Sequence, residues 1–297
     1  MEAKKGRRKM KKFELTTEFI TNAFGKKLFR IKALVEFGDV KAGELGGYVE
    51  KEGNVSQDGN AWVSGDARVY GNAWVSGDAR VSGDAWVHGN ARVCGNALVY
   101  GDTEVSGDAK VDGNAKVSDN VRVSDNAKVC GNAEVYGDAK VYGNAWVYGD
   151  TEVSGDAWVC GNAKVCGDAK VSGNAKVCGD ARVCGNARVC GDARVSGNAK
   201  VSDNARVSGD AKVSGNAEVY GDADYALVKG FGTEFRCTTF YRDKNKKIMV
   251  NCGCFHGDLE AFRKQVKETR SGKIAKEYLM IADLMKYHFA SEDSSDE

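Results

Sequence analysis

The chain is 297 residues long, has a net charge of +1 and contains no proline. A balance so close to neutral excludes a polyanion and a broad, charge-driven nucleic-acid binder. No apolar run approaches the ~18 residues of a membrane span, and no signal peptide opens the chain, so the expectation is a soluble, cytoplasmic protein with no membrane partner and room for one large domain and a small second one.

Residues 1–12 form a basic tail, with Lys4, Lys5, Arg7, Arg8, Lys9, Lys11 and Lys12 against Glu2 alone; such runs stay solvated and disordered. Residues 13–46 read as N-terminal cap strands. Leu28, Phe29, Ile31, Ala33, Leu34, Val35 and Phe37 suggest one or two strands, and the open end of a strand stack needs a cover against edge-to-edge growth. Gly43, Gly46 and Gly47 then lead into a regular register.

From Gly59 to about Ala226 a unit of the form Gly-(Asp/Asn)-Ala-x-Val-x recurs without insertion or deletion, with Val at every sixth position from Val63 to Val219, 27 in all. Ala and Val two places apart point the same way from a strand, and the Gly-Asp or Gly-Asn pair turns the chain. The repeat is therefore an all-β solenoid over residues 47–226. Between Asp156 and Asn198 the corner residue alternates strictly between Asp and Asn. Two units per coil would stack Asp on Asp at roughly 4.8 Å, whereas three units interleave them and spare each corner a column of like charge. The expectation is a triangular prism of about nine coils, roughly 45 Å long at that spacing. Its core is Ala and Val, with Thr103, Thr151 and Val121 at three Ala positions, packed tightly enough to leave no internal ligand cavity.

Outward slots carry the surface information. All five tryptophans (Trp62, Trp74, Trp86, Trp146 and Trp158) sit in the slot before Val. They read either as rings resting on neighbouring Arg and Lys stems, as Trp74 beside Arg92, or as an oligomer contact, for which Trp146 and Trp158 with Tyr136, Tyr142 and Tyr148 are the candidates. The same slot then turns basic for nine successive units: Lys164, Lys170, Lys176, Arg182, Arg188, Arg194, Lys200, Arg206 and Lys212. Corner aspartates leave a net +4 between residues 161 and 214, so this belt reads as solvated charge that blocks lateral aggregation or as a site for nucleic acid or another anionic polymer. Seven of the ten cysteines (Cys94, Cys130, Cys160, Cys166, Cys178, Cys184 and Cys190) occupy the outward slot after Val that Ser and Tyr otherwise fill. They read as serine substitutes and free thiols in a reducing compartment, against the alternative of a disulfide ladder.

After Ala226 the period breaks. Residues 227–290 read as a hairpin plus two helices: strands Phe235–Tyr241 and Lys247–Cys254 around Asp243-Lys-Asn-Lys246, with Arg242 opposite Lys247. Asp258 caps a first helix whose Leu259, Phe262 and Val266 share a face, and a second follows Gly272 with Ile274, Tyr278, Ile281, Ala282, Met285 and Phe289. That pairing sets Cys237 opposite Cys252 with Cys254 on the same face, so Cys237, Cys252, Cys254 and His256 read as a structural zinc set or as a buried thiol cluster. Residues 291–297 are an acidic tail.

Val-x-Gly-(Asp/Asn)-Ala-x resembles the hexapeptide repeat of left-handed parallel β-helices, and the left hand is implied by that resemblance alone. The segment Arg30-Ile-Lys-Ala-Leu-Val-Glu-Phe-Gly-Asp-Val-Lys-Ala-Gly-Glu-Leu-Gly-Gly-Tyr-Val49, with Asn54-Val-Ser-Gln-Asp-Gly59, is similar to the YdcK-like bacterial hexapeptide-repeat proteins, a group labelled acyltransferase by fold analogy. The resemblance implies an acyl-CoA-dependent acyltransferase with acetyl-CoA as donor, a homotrimer, and a histidine base at the trimer interface, for which His88 is the candidate. Such enzymes expel a loop to shape the site, and this repeat expels none. The favoured reading is a non-enzymatic scaffold for protein–protein interaction or self-association.

Overall fold

The computed structural model describes residues 10–290; the expectations for residues 1–9 and 291–297 lie outside the described residues. The chain is a parallel stacked β-solenoid of about ten coils followed by a small module of four strands and two helices. It divides into two compact units, Met1–Gly137 and Asp138–Glu297. Strands β1 (Phe13–Thr21), β2 (Lys27–Ala33) and β3 (Leu45–Val49) open it, and 27 short strands, β4–β30 from Trp62–Val63 to Glu218–Val219, carry the repeat.

In the first unit Trp62 pairs in parallel with Arg80 and Arg80 with Leu98. In the second, Arg182 pairs with Lys200 and Lys200 with Glu218. Each partner lies three hexapeptides on, as the Asp/Asn alternation required. The coil count exceeds the expected nine because β3 and Val55 are already rungs, Tyr48 pairing with Arg68 and Val55 with Val75. Gly46 makes that approach feasible: a Cβ there would lie 2.5 Å from both the Ile31 side chain and the Val63 carbonyl oxygen. At the corners the interleaving becomes hydrogen bonding, with Asn162 Nδ2 donating to Asp180 Oδ1 at 2.8 Å and Asn174 Nδ2 to Asp192 Oδ1 at 2.9 Å. Inward Val and Ala are buried from Ala61 to Val219, and Thr103 joins them by donating its hydroxyl to the Tyr100 carbonyl at 2.7 Å.

The turn glycines hold positive φ, and they also meet along the stack. A Cβ on Gly173 (φ 68°) would lie 3.1 Å from the Gly191 nitrogen. Asp119, Asp125 and Asp203 replace Gly at three corners and still adopt φ of 62°, 59° and 55°, a region L-residues enter at a cost.

Between rungs Trp62 N–H donates to the Ala79 carbonyl in the first unit, and Lys200 N–H to the Ala217 carbonyl in the second. Alternate residues of a parallel strand turn both their N–H and their C=O toward the same neighbour, so each edge of the stack is left with donors and acceptors together. At the first edge the Lys12 ammonium donates to the open Gly59 and Ala61 carbonyls at 3.3 and 2.8 Å, and Asn54 Nδ2 donates to Gly71 and Ala73 at 3.2 and 2.8 Å. Lys12 is only 4% exposed, and Lys11 pairs with Glu52. Both were expected in the disordered tail; the demand for donors at this edge draws them in. Trp62, expected outward and open, is 2% exposed beneath Phe13 and Phe37 at centroid distances of 6.3 and 5.4 Å.

At the last coil, in the second unit, Thr239 Oγ1 accepts from Lys212 N–H at 2.9 Å, and Asp224 Oδ2 accepts from Tyr220 N–H at 2.9 Å. Thr239 belongs to the C-terminal sheet of β31 (Tyr225–Phe231), β32 (Arg236–Arg242), β33 (Ile248–Cys252) and β34 (Phe255–Asp258), followed by α1 (Leu259–Thr269) and α2 (Gly272–His288). The outer strands β31 and β34 were not anticipated, and β31 starts at Tyr225, inside the span assigned to the repeat. The hairpin register is one residue from expectation, with Arg242 opposite Ile248 and Thr238 opposite Cys252. Asp243 is the cause: its carboxylate accepts from Asn245 and Lys247 N–H at 2.8 and 2.9 Å, and Lys246 takes φ 62°, which closes a three-residue loop instead of a four-residue one. Asp258 does cap α1, accepting from Ala261 N–H, and Leu259, Phe262 and Val266 are buried against α2 residues Tyr278, Ile281, Ala282 and Met285.

Two outcomes test this account. Gly173→Ala destabilises by about 1–2 kcal/mol from the positive φ alone, whereas Asp203→Gly leaves stability unchanged or raised; urea denaturation reads both, and equal effects would dismiss the corner argument. Burial, with Arg80 nearby, lowers the Lys12 pKa to about 8 from its ordinary 10.5. The unfolded chain then holds this proton more tightly, so stability rises with pH between about 8 and 10.5. Wild type should gain on Lys12→Met across that window, and parallel pH profiles would show that Lys12 is not buried as described.

Candidate functional site

In the second unit the outward residues before Val stack in three columns. One runs Lys140, Trp158, Lys176, Arg194, Lys212; a second Trp146, Lys164, Arg182, Lys200, Glu218; a third Glu152, Lys170, Arg188, Arg206. All nine belt cations fall in these columns, three to each.

The aromatic candidates separate. Trp158 meets Tyr142 edge-on at 6.1 Å, Trp146 meets Tyr148 edge-on at 6.2 Å, and the two pairs belong to different columns. Tyr136, half-buried, belongs to the first unit. A three-unit coil sends residues 12 apart to different sheets, so the aromatics form two small sites in place of one contact.

Several cations of these columns are engaged within the protein. Lys140 and Lys176 lie over the Trp158 ring at 4.8 and 4.2 Å, and Lys164 over Trp146 at 5.3 Å. Lys170 pairs with Glu152 at 2.7 Å and Lys200 with Glu218 at 2.9 Å. Beside Trp158 lies a surface groove of about 410 Å³ lined by Lys140, Asp156, Trp158, Asn174, Lys176, Asp192 and Arg194. With ammonium groups against the indole from the rungs on both sides, Trp158 offers no bare face for a nucleic-acid base to stack on.

The free-thiol expectation is overturned for four cysteines. Cys160 is bonded to Cys178 and Cys166 to Cys184, with Cα atoms 4.7 and 4.6 Å apart. Three units per coil place cysteines 18 residues apart on neighbouring rungs, within disulfide reach. Cys94 and Cys130 are free because Asp112 stands on the rung between them, and burial together with Asp112 pushes both thiols up from their ordinary pKa.

His88, in the first unit, is committed on two sides. Its ring stacks on Tyr70 at 4.9 Å with 9° between planes, and its Nε2 lies 3.0 Å from Glu104 Oε1. Glu104 also faces Arg122 at 3.8 Å.

The C-terminal thiols do not gather. With the register shifted by one, Cys237 and His256 lie on the sheet face that carries Thr239 and Asn251, while Cys252 lies on the opposite face among Phe240, Val250 and Phe255. Cys254 sits exposed in the turn after Gly253. His256 Nε2 shares a hydrogen bond with the Tyr241 hydroxyl at 3.0 Å, and Cys252 Sγ accepts from Thr238 Oγ1 at 3.1 Å. No group of three or more metal-ligating side chains is found among the described residues. Sequence reasoning missed Lys12, Thr239 and Asn251; the last donates to the Lys212 carbonyl at 2.7 Å.

A parallel stack with a buried Val and Ala core and a closing module at its last coil defines a β-solenoid repeat protein. The family model of the YdcK β-solenoid repeat matches residues 61–77, 73–89, 91–107 and 181–199. No curated protein matches the chain. No helix among the described residues is long and apolar enough to cross a membrane.

Each disulfide closes a loop of 18 residues, for which chain entropy gives about 3 kcal/mol. Reduction of the wild type should lower stability by about 2–4 kcal/mol for each pair opened, while a Cys178→Ser/Cys184→Ser double variant should not respond to reductant. An unchanged denaturation midpoint on reducing the wild type would show that the pairs are not closed in solution.

Proposed function

We propose that the protein is a non-catalytic scaffold whose solenoid faces contact a protein partner or further copies of itself. The supporting observation is the uninterrupted run of rungs from Trp62 to Val219, which sends out no loop to wall a substrate site. The outward Trp146–Tyr148 and Trp158–Tyr142 pairs supply the rigid aromatic anchors that protein interfaces favour. His88, the one base the acyltransferase reading offers, has Glu104 and Tyr70 as its neighbours. The belt cations placed over indoles or against glutamates serve the surface itself, which favours a protein partner over an anionic polymer. On this reading the compartment is the cytoplasm.

Calorimetric titration with acetyl-CoA at two temperatures tests the reading. The scaffold predicts no heat at millimolar ligand, and micromolar binding would overturn it in favour of acyl transfer with His88 as the base.

A further inference from the structure

Two of the four C-terminal ligand candidates share a cavity. It has a volume of about 110 Å³ and lies within the closing module, between the turns that follow β31 and β33 and the last turn of α1. Phe255, Phe262, Val266 and Tyr278 supply its apolar lining, and Cys252 and Cys254 both face into it. The turn explains their meeting. Cys252 pairs with Phe255 across a two-residue loop in which Gly253 takes φ 61°, and residues two apart on so tight a bend can reach the Cα separation of about 4.4–6.8 Å that a disulfide spans. The two sulfurs differ in access: Cys254 is exposed, whereas Cys252 is half-buried and accepts from Thr238 Oγ1 at 3.1 Å. An open thiol beside a recessed one is the arrangement that attack and then resolution require. Glu234 and Arg270 also line the cavity, so its walls offer a carboxylate and a guanidinium together.

We propose that Cys252 and Cys254 form a dithiol site for low-molecular-weight disulfides that carry both ammonium and carboxylate groups. The Cys254 thiol gives its proton to solvent, and the thiolate attacks one sulfur of the ligand. The ligand S–S bond breaks, a mixed disulfide forms on Cys254, and the other half leaves as a thiolate that takes up a proton. Cys252 then attacks the Cys254 sulfur, its proton passes to the departing half, and a Cys252–Cys254 disulfide closes. The protein dithiol loses two electrons and the ligand gains them, becoming two thiols. Arg270 meets the carboxylate of the bound half and Glu234 its ammonium group. The exchange is stoichiometric, so it stands beside the scaffold reading and uses none of the aromatic pairs on the solenoid faces.

Incubation of the full chain with glutathione disulfide, followed by alkylation, trypsin and mass spectrometry, tests this. Cleavage after Lys247 and Arg263 releases Ile248–Arg263, which holds Cys252 and Cys254 and no other cysteine. Wild type should yield this fragment with its two thiols joined. Cys252→Ser, which keeps an acceptor for Thr238, should stop at the glutathione adduct on Cys254, and Cys254→Ser should leave Cys252 unmodified. Glutathione disulfide should react about two- to fivefold faster than cystamine, which lacks the carboxylate, and Arg270→Ala, at an exposed position, should bring the two to parity. A wild-type fragment that stays reduced, a glutathione adduct that persists in the wild type, or a Cys252→Ser fragment without adduct would each overturn the dithiol site. Equal rates for the two disulfides in the wild type would overturn the assignment of the ligand class.

Discussion

Each rung of this parallel stack turns the N–H and C=O of alternate residues toward its neighbour, so an edge rung with no neighbour leaves peptide donors and acceptors of both kinds to be met. In the first unit the Lys12 ammonium and the Asn54 amide meet open carbonyls. In the second the Thr239 hydroxyl and the Asp224 carboxylate meet open N–H groups, and the Asn251 amide meets the Lys212 carbonyl. Polar side chains are drawn to both edges because an unpaired buried peptide group costs more than any single surface interaction returns. Desolvating a lysine to serve as a peptide N–H substitute lowers its pKa, so the same arrangement that closes the edge creates a titrating group near neutral pH.

The solenoid was legible because it is over-determined. Val, Ala, Gly and the corner residue each repeat with the same period, and each constrains a different contact: core, turn and side-chain ladder. Coil size followed from the Asp/Asn alternation, a long-range contact that single sequences seldom disclose. What failed was local and polar. The hairpin slipped by one residue because a single carboxylate, Asp243, organised the loop through two backbone N–H groups, and turn propensity alone does not distinguish three residues from four. That one step scattered the proposed zinc ligands over two faces and a turn, since strand side chains alternate.

Site residues were legible in type and misjudged in company. The outward tryptophans were found, but which of them share a column depends on coil size, and the aromatic set resolved into pairs once three units made a coil. Cysteines were read one at a time as serine substitutes. Read at intervals of 18 they separate into bonded neighbours, Cys160 with Cys178 and Cys166 with Cys184, and into thiols such as Cys94 and Cys130 held apart by a rung. Lys12 and Asn251 were invisible because their partners are backbone atoms at the edges of the stack, and nothing in a tail or a strand announces that demand.

The corner ladder bears on folding fidelity. The Ala and Val core looks the same after a shift of one hexapeptide, so burial cannot tell a coil of three units from one of two or four. Between Asp156 and Asn198 the corner residues can: with three, an amide meets a carboxylate, as at Asn162–Asp180 and Asn174–Asp192, and with an even number every carboxylate would face another. The two-letter corner works as a parity check on winding, rejecting misthreaded coils that the apolar interior would accept.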